Sequence, residues 1–218
     1  TMTNNDTDRL AARKRTAATA GTQLKSDGIK MEKNAMTIRE MARQAKDASV
    51  TLAALSSDSK NKALQAVAEA LRKRGDDIIA ANAIDLEAAV AAGLPGPIQK
   101  RLKFDAIKLG DVIAGVESLL VLPDPAGATL AATELDQGLN LCKVSCPIGV
   151  IGVIFESRPD ALVQISTLCL KSGNAVLLKG GSEAMHSNRI LATVIAEASE
   201  KAGLPAGWLQ LLETRADV

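Results

Sequence analysis

Along the first half of this chain, apolar residues recur at the spacing of amphipathic helices. Between residues 36 and 121 they fall at intervals of three and four with charged residues on the other faces, as in the series Leu64, Val67, Ala68 and Leu71. Asp76, after Gly75, is the expected start of one helix, and Gly93 followed by Pro95 is an expected end. This segment is therefore predicted to be a layer of helices that packs on a sheet.

The second half of the chain changes to short apolar runs. Residues 148–155 are apolar apart from two glycines, which predicts a strand buried on both faces of a parallel sheet. Helical spacing follows over residues 160–170, and residues 175–178 form a second buried strand. The order strand, helix, strand predicts a βαβ unit, and the turn that begins at Lys179 would then lie at the carboxyl edge of its sheet, where ligands meet backbone amides.

The predicted organisation is that of an α/β protein with a protruding hairpin. Residues 128–146 are short segments around Asp136, Gln137 and Gly138, a pattern typical of a β-hairpin. Residues 1–35 lack a sustained apolar face, and we interpret them as disordered or as an extension. The chain then divides into a helical part of a cofactor domain at 36–127, the hairpin at 128–146 and an incomplete βαβ cofactor-binding core at 147–218.

Composition and charge exclude several classes of protein. The net charge of +1, with acids and bases intermixed, gives no reason to expect nucleic acid or a membrane surface as a partner. Two Phe, one Trp and no Tyr leave little to stack on bases. Three cysteines without paired spacing favour reduced thiols in a cytoplasm. The lone histidine, His186, has no partners at ligand spacing, so no metal site is predicted and an ordinary helix-surface or packing role is expected.

Four stretches of the chain carry a resemblance to a known family. CPIGVIGVIFESRPDALVQIS, CLKSGNAVLLKGGSEA, ATELDQGL and RLKFD closely resemble the glutamate-5-semialdehyde dehydrogenases, also called γ-glutamyl phosphate reductases, of the aldehyde dehydrogenase superfamily. The likeness is nearly continuous from about residue 52 to the last residue. It implies an aldehyde dehydrogenase-type parallel-sheet cofactor domain, with a helical N-terminal layer and a hairpin that takes part in subunit contacts.

The resemblance also implies an activity. Members of this family use NADPH to reduce L-glutamyl 5-phosphate to L-glutamate 5-semialdehyde, the second step of proline biosynthesis. We therefore expect a cytoplasmic homo-oligomer that binds NADP(H) and a small-molecule substrate.

The cofactor is expected at the turn after the second strand. Lys179 matches the superfamily lysine there, whose ammonium can meet ribose hydroxyls or a phosphate, and the alternative is a solvated charge at a strand end. Ser182 stands where a carboxylate would repel a 2′-phosphate, which favours NADP over NAD; it is alternatively the N-cap of the next helix. The remaining residues of the expected cofactor site are Gly180, Gly181, Glu156 and Ser157.

Arg158 is the candidate substrate contact. It lies in the turn where most superfamily members carry an asparagine that helps to hold the developing oxyanion. A guanidinium suits an acyl phosphate better than a carboxamide does, so our hypothesis is that Arg158 contacts the phosphate or carboxylate of the substrate. The alternative is a salt bridge between Arg158 and Glu156 or Asp160.

The family's catalytic nucleophile is a cysteine thiolate, which the resemblance places beyond residue 218. Cys142, Cys146 and Cys169 do not match its motif, and each is interpreted as a structural, packing residue. We therefore expect no catalytic residue in this chain, which would be the cofactor-binding half of a reductase and inactive on its own. The alternative is a truncated, non-catalytic nucleotide-binding or oligomerisation module.

Overall fold

A computed structural model describes residues 36–213, so the interpretation of residues 1–35 lies outside the described residues. The segment predicted to be a helical layer is helical. Its helices are α1 (Ile38–Ala53), α2 (Ser57–Lys73), α3 (Gly75–Ala91), α4 (Gly96–Leu102) and α5 (Ala106–Ser118). The predicted boundaries hold to within a residue or two, because α3 begins at Gly75 and Gly93 lies just beyond its end with φ of 64°.

Side-chain caps start two of these helices. Ser56 accepts a hydrogen bond from the Ser59 amide at 3.2 Å before α2, and Asp105 accepts one from the Lys108 amide at 3.1 Å before α5. Each cap satisfies an amide that has no partner within its helix. The helix boundaries therefore follow from local chemistry.

The predicted hairpin is confirmed. Strands β1 (Thr129–Asp136) and β2 (Leu139–Val144) pair antiparallel around Gln137 and Gly138, and Gly138 adopts a φ of 78° that favours glycine. Every residue of both strands is exposed. The hairpin therefore projects without a cover on either face among the described residues.

The predicted βαβ unit is also confirmed. Strand β3 (Val150–Ile154), helix α6 (Pro159–Lys171) and strand β4 (Ala175–Lys179) are followed by a 3₁₀ turn (Ser182–Ala184), helix α7 (Met185–Lys201) and strand β5 (Leu209–Leu211). The three strands are parallel in the order β3-β4-β5 within the described part of the sheet. Their carboxyl ends consequently meet at one edge.

The expectation that residues 148–155 are buried on both faces is wrong. Ile148 is 82% exposed and Ile154 is 78% exposed, whereas most of β4 is buried. Ile148 lies before the strand begins, and β3 itself lies at the edge of the described sheet, whereas β4 lies between its two neighbours. An apolar run alone does not distinguish an edge strand from a central one.

The helices and the sheet share one hydrophobic core. Helix α2 packs on α5, α6 and α7, and α1 packs on β4. Leu64 and Leu71 of α2 are fully buried with Leu178 of β4 and with Trp208, whose indole donates a hydrogen bond to Ser199 Oγ at 2.9 Å. Among residues 36–213, no helix is long and apolar enough to cross a membrane.

Candidate functional site

The residues predicted to hold a cofactor come together at the carboxyl edge of the sheet. The turn after β3 and the turn after β4 lie side by side there, because the Phe155 amide donates a hydrogen bond to the Lys179 carbonyl at 3.0 Å. A cavity of about 320 Å³ lies between the two turns. It is lined by Ile98, Arg101, Glu156, Ser157, Gly181 and Glu183. This edge is the usual ligand-binding position in parallel α/β sheets.

The two glycines of the second turn are required by space. A Cβ on Gly180 would collide with Asn188 Nδ2 and lie 3.0 Å from the Phe155 ring. A Cβ on Gly181 would collide with Ser157 Oγ and lie 2.5 Å from Glu183 Oε2. Neither glycine has a positive φ. Glycine at these two positions therefore lets the turn pack closely against the side chains of Phe155, Ser157, Glu183 and Asn188.

Hydrogen bonds order the first turn. Ser157 Oγ donates to Glu183 Oε2 at 2.6 Å, and Glu156 forms a 2.7 Å ion pair with Arg101. The first contact joins the turn after β3 to the 3₁₀ turn after β4, and the second joins it to α4. Glu156 and Ser157, both predicted at the cofactor site, are thus held in place by Arg101 and Glu183.

Lys179 is half-buried at the end of β4. Its ammonium donates to the Gly180 carbonyl at 2.8 Å, which uses one of its three donors. The alternative of Ser182 as a helix N-cap is wrong: Gly181 precedes the 3₁₀ turn, Ala184 precedes α7, and neither start has a side-chain cap. Ser182 is instead exposed beside Lys179 at the mouth of a second small cavity. Lys179 and Ser182 are therefore free to meet a ligand together.

A neutralised carboxylate borders the second cavity. Glu213 accepts two hydrogen bonds from Arg189, at 2.7 and 2.8 Å. The Arg189 hydrogen bonds hold the pKa of Glu213 below its usual value despite some burial. The same wall contains Asn188, which is buried and whose Oδ1 lacks a hydrogen-bond partner among the described residues. An unpartnered buried acceptor at the glycine turn fits a site that takes a donor from a ligand.

Helix α7, which supports the glycine turn, is capped from another helix. Asp85 of α3 is buried and accepts hydrogen bonds from the His186 amide at 3.1 Å, the Ser187 amide at 2.8 Å and Ser187 Oγ at 2.6 Å. The His186 ring lies 2.8 Å from the same carboxylate. His186 therefore lies at the surface of α7 with its ring held against Asp85.

Sequence reasoning missed Asp85 and its neighbour Asn82. The buried Asn82 amide bonds the Leu102 carbonyl, Ser187 Oγ and the Phe104 amide, and so fixes the segment between α4 and α5. A signal was present, because positions 78, 82, 85 and 89 form the buried face of α3 and two of the four are polar. Polar residues on a buried helix face indicate side chains that bind specific partners.

Arg158 does not form the salt bridge considered as its alternative role. Glu156 pairs with Arg101 instead, and Arg158 belongs to none of the ion pairs among residues 36–213. Arg158 is exposed and lines a pocket whose other walls come from α4, α5 and the start of α6. Its guanidinium is therefore available to an anion.

The cysteines divide into two kinds. Cys169 is buried in α6, and burial raises the pKa of its thiol to about 11, so it holds its proton at neutral pH. Cys142 and Cys146 are exposed, so the interpretation of all three as buried packing residues is wrong for these two. Cys142 lies on the hairpin and Cys146 follows it. They are exposed because the strands of the hairpin do not pack on the hydrophobic core.

Comparison with known proteins gives consistent matches. A model of the aldehyde dehydrogenase family matches residues 25–218. The γ-glutamyl phosphate reductase of Acetivibrio thermocellus is 61% identical over 183 residues, which cover 84% of this chain and 42% of the relative. That of Methanosarcina barkeri is 48% identical over 186 residues, covering 83% and 42%. The chain thus spans about 42% of the length of these curated relatives.

Solved structures agree with the sequence matches. The γ-glutamyl phosphate reductase of Thermotoga maritima superposes with a TM-score of 0.80 at 34% identity, over 82% of this chain and 43% of that one. The Saccharomyces cerevisiae protein of the same name superposes with a TM-score of 0.78 at 36% identity, over 84% and 48%. The resemblance found in the sequence and the fold that it implied are confirmed.

Proposed function

Because the chain belongs to the aldehyde dehydrogenase family, we propose that it forms the NADP(H)-binding part of a γ-glutamyl phosphate reductase. The observation that carries this proposal is the 61% identity to a protein of that name. The proposed reaction is the reduction of L-glutamyl 5-phosphate to L-glutamate 5-semialdehyde, the second step of proline biosynthesis. We expect it to take place in the cytoplasm.

The chemistry divides between this chain and a nucleophile that we assign to residues outside it. A cysteine thiolate attacks the acyl carbon, the bond to phosphate breaks, and a thioester and inorganic phosphate result. The hydride that reduces this thioester to the aldehyde, with release of the thiolate, would come from NADPH held by this chain. The raised pKa of Cys169 supports assigning no nucleophilic role to that residue.

This chain's own residues bind and orient the cofactor. The turn at Gly180 and Gly181 packs closely on its neighbours at the carboxyl edge of the sheet, and Lys179 offers its remaining ammonium donors there. The Ser157 to Glu183 hydrogen bond holds the opposite wall of the cavity. This set fits a nicotinamide dinucleotide because it combines a positive charge, a glycine turn and an open cleft at the carboxyl edge of the sheet.

The preference for NADP over NAD depends on Ser182 in this proposal. Ser182 carries an exposed, uncharged hydroxyl beside Lys179, and the negative charge of the nearby Glu213 is paired with Arg189. A carboxylate at position 182 would repel a 2′-phosphate, so Ser182→Glu should weaken NADPH binding by tenfold or more, on the order of 1.4 kcal/mol, and leave NADH binding unchanged.

Titration of the chain with both nucleotides, followed by nicotinamide fluorescence, measures this difference. Ser182→Ala is the matched control, since it removes the hydroxyl without adding charge, and it should retain the preference for NADPH. Equal losses for NADPH and NADH in Ser182→Glu would contradict the assignment of position 182 to the 2′-phosphate.

We assign the substrate's phosphate or carboxylate to Arg158, which is exposed and forms no ion pair among residues 36–213. In a full-length reductase carrying this sequence, Arg158→Ala should raise KM for the substrate or lower kcat. Arg43→Ala, which removes an exposed arginine on α1, is the control. Unchanged kinetics in Arg158→Ala would remove this assignment.

Association into a homo-oligomer through the hairpin is part of the proposal. Both strands are exposed, and they carry large apolar side chains that are 50–60% exposed: Leu130, Leu135, Leu139, Leu141 and Val144. A two-stranded ribbon is marginally stable alone, and clustered apolar exposure favours burial against another surface. Sedimentation velocity of the wild type and of Leu139→Glu should show an oligomer that the substitution weakens.

A further inference from the structure

A pocket lined mainly by cations lies beside the cavity between the turns after β3 and β4. Its volume is about 430 Å³, and the residues that line it are Pro97, Lys100, Arg101, Lys108, Arg158 and Asp160. These come from α4, the first turn of α5 and the turn that leads into α6, so the fold brings distant segments together here. Arg101 lines both this pocket and the cavity between the two turns. A ligand in this pocket would therefore lie next to the cofactor.

The positive charge of this pocket is only partly balanced within the described chain. Arg101 pairs with Glu156, but Lys100, Lys108 and Arg158 take part in none of the ion pairs among residues 36–213. The one carboxylate in the lining is Asp160, whose Oδ1 is buried without a hydrogen-bond partner. Like charges around one cavity repel each other unless an anion lies between them.

Two of these cations occupy positions that the helices themselves disfavour. Lys108 lies in the first turn of α5, and Arg158 is the residue immediately before α6. The N-terminal end of a helix carries partial positive charge, so a cation there weakens the helix. Lys100 and Arg101 lie in the last turn of α4, where cations are favourable, so helix stability accounts for two of the four but not for Lys108 and Arg158.

We infer that this basic pocket binds the phosphate of the acyl phosphate substrate, and that Lys100 and Lys108 share this contact with Arg101 and Arg158. Lys108 and Arg158 lie at the starts of two helices, and together with Lys100 and Arg101 they supply charge-assisted donors to the pocket from three segments, as a dianionic phosphate requires. The inference rests on the proposed function, because it takes the ligand to be the substrate of that reaction.

The first test is phosphate binding by the 218-residue chain, using inorganic phosphate as the probe at constant ionic strength. Backbone amide shifts around residues 100, 108 and 158 should saturate in the wild type. The double variant Lys100→Gln with Lys108→Gln should bind about tenfold more weakly, since it loses two charged donors. The double variant Lys62→Gln with Lys73→Gln removes the same charge from exposed positions on α2 and should bind as the wild type does.

The alternative source of a phosphate is the cofactor. NADP⁺ that displaces inorganic phosphate from the pocket, where NAD⁺ does not, would show that the pocket takes the 2′-phosphate and would overturn the substrate assignment. Absence of saturable phosphate binding, or equal binding by the wild type and the Lys100/Lys108 variant, would overturn the inference as a whole. Urea unfolding of each variant separates these results from loss of the fold.

Kinetics separate the inference from the proposed function. In a full-length reductase run in the reverse direction, the Lys100/Lys108 variant should raise KM for phosphate about tenfold and leave KM for NADP⁺ unchanged. An active enzyme with an unchanged KM for phosphate would overturn the pocket assignment alone. Phosphate binding by the chain without any reductase activity in the wild type would overturn the proposed function, and with it the identity of the ligand as that substrate, but it would leave the phosphate site itself standing.

Discussion

Replacing Gly180 with alanine should destabilise the chain, although the backbone conformation at this position suits alanine. Gly180 is buried and has no positive φ, so the conformation itself tolerates alanine. Its Cβ would nevertheless collide with Asn188 Nδ2 and lie 3.0 and 3.2 Å from two atoms of the Phe155 ring. Asn188 is buried and Phe155 packs against the core, so neither can move freely.

The magnitude follows from two opposing effects. Overpacking by a methyl group in a rigid site costs about 1–3 kcal/mol. Replacing glycine with alanine also restricts the unfolded chain, which returns about 0.4–1 kcal/mol. We therefore expect Gly180→Ala to lose about 1–2 kcal/mol of unfolding free energy. At Gly181 a Cβ would collide with the side-chain ends of Ser157 and Glu183, which can rotate away, so Gly181→Ala should lose less stability. It should nevertheless break the Ser157 to Glu183 hydrogen bond and weaken cofactor binding.

Gly110→Ala is the matched control. Gly110 is exposed within α5, and a Cβ there meets nothing within 4 Å. Alanine should therefore stabilise the chain by about 0.5–1 kcal/mol. The assay is urea unfolding followed by fluorescence of Trp208, the only tryptophan in the sequence, which is fully buried. A Gly180→Ala chain that gains as much stability as Gly110→Ala would refute the argument from space.

The other predictions concern buried polar contacts away from the cavity. Asp85→Asn should lower the unfolding free energy by about 1–3 kcal/mol in urea unfolding, because α7 loses its charged cap. The control is Glu87→Gln at an exposed position of α3, the helix that also carries Asp85, and it should change stability little. Equal stability of the two variants would contradict the role of Asp85 as a cap. Asp124→Asn should lose about 3 kcal/mol at neutral pH, since it leaves buried Lys60 without its 2.5 Å partner, whereas Asp77→Asn at an exposed pair should lose under about 1 kcal/mol. Burial raises the pKa of Asp124, but the Lys60 hydrogen bond and the Ala126 amide outweigh it, so the pKa is lowered from 3.8. A carboxyl whose pKa is lowered by folding stabilises the protein above its unfolded pKa. The difference in unfolding free energy between wild type and Asp124→Asn should therefore shrink as pH falls below about 4. A difference that stays constant with pH would argue against the ion pair.

Local patterns predicted the architecture of this chain well. Helical spacing, the turn at Gly138 and the sequence of apolar runs specify elements from neighbouring residues alone, and the structure confirms them. The prediction that β3 is buried on both faces was wrong because burial depends on which strands are neighbours, and that is a property of the assembled sheet. The same limit applies to Cys142 and Cys146, whose exposure follows from the projection of the hairpin.

The candidate site was predicted in part. The turns at 156–158 and 179–182 were identified in sequence, and the structure places the first beside the second. The sequence alone could not show why positions 180 and 181 require glycine, because the atoms that would collide with a Cβ belong to residues 155, 157, 183 and 188, which only the fold brings close. Lys100 and Lys108 received no role, since only the fold brings them to Arg158.

The most direct test of the proposed function is turnover by the natural protein isolated from its source. Glutamate 5-semialdehyde is supplied with NADP⁺ and inorganic phosphate, and formation of NADPH is followed by absorbance. The proposal predicts NADPH formation that requires both the semialdehyde and phosphate, and that is much slower with NAD⁺. Absence of nucleotide reduction, or reduction that does not depend on phosphate, would contradict it.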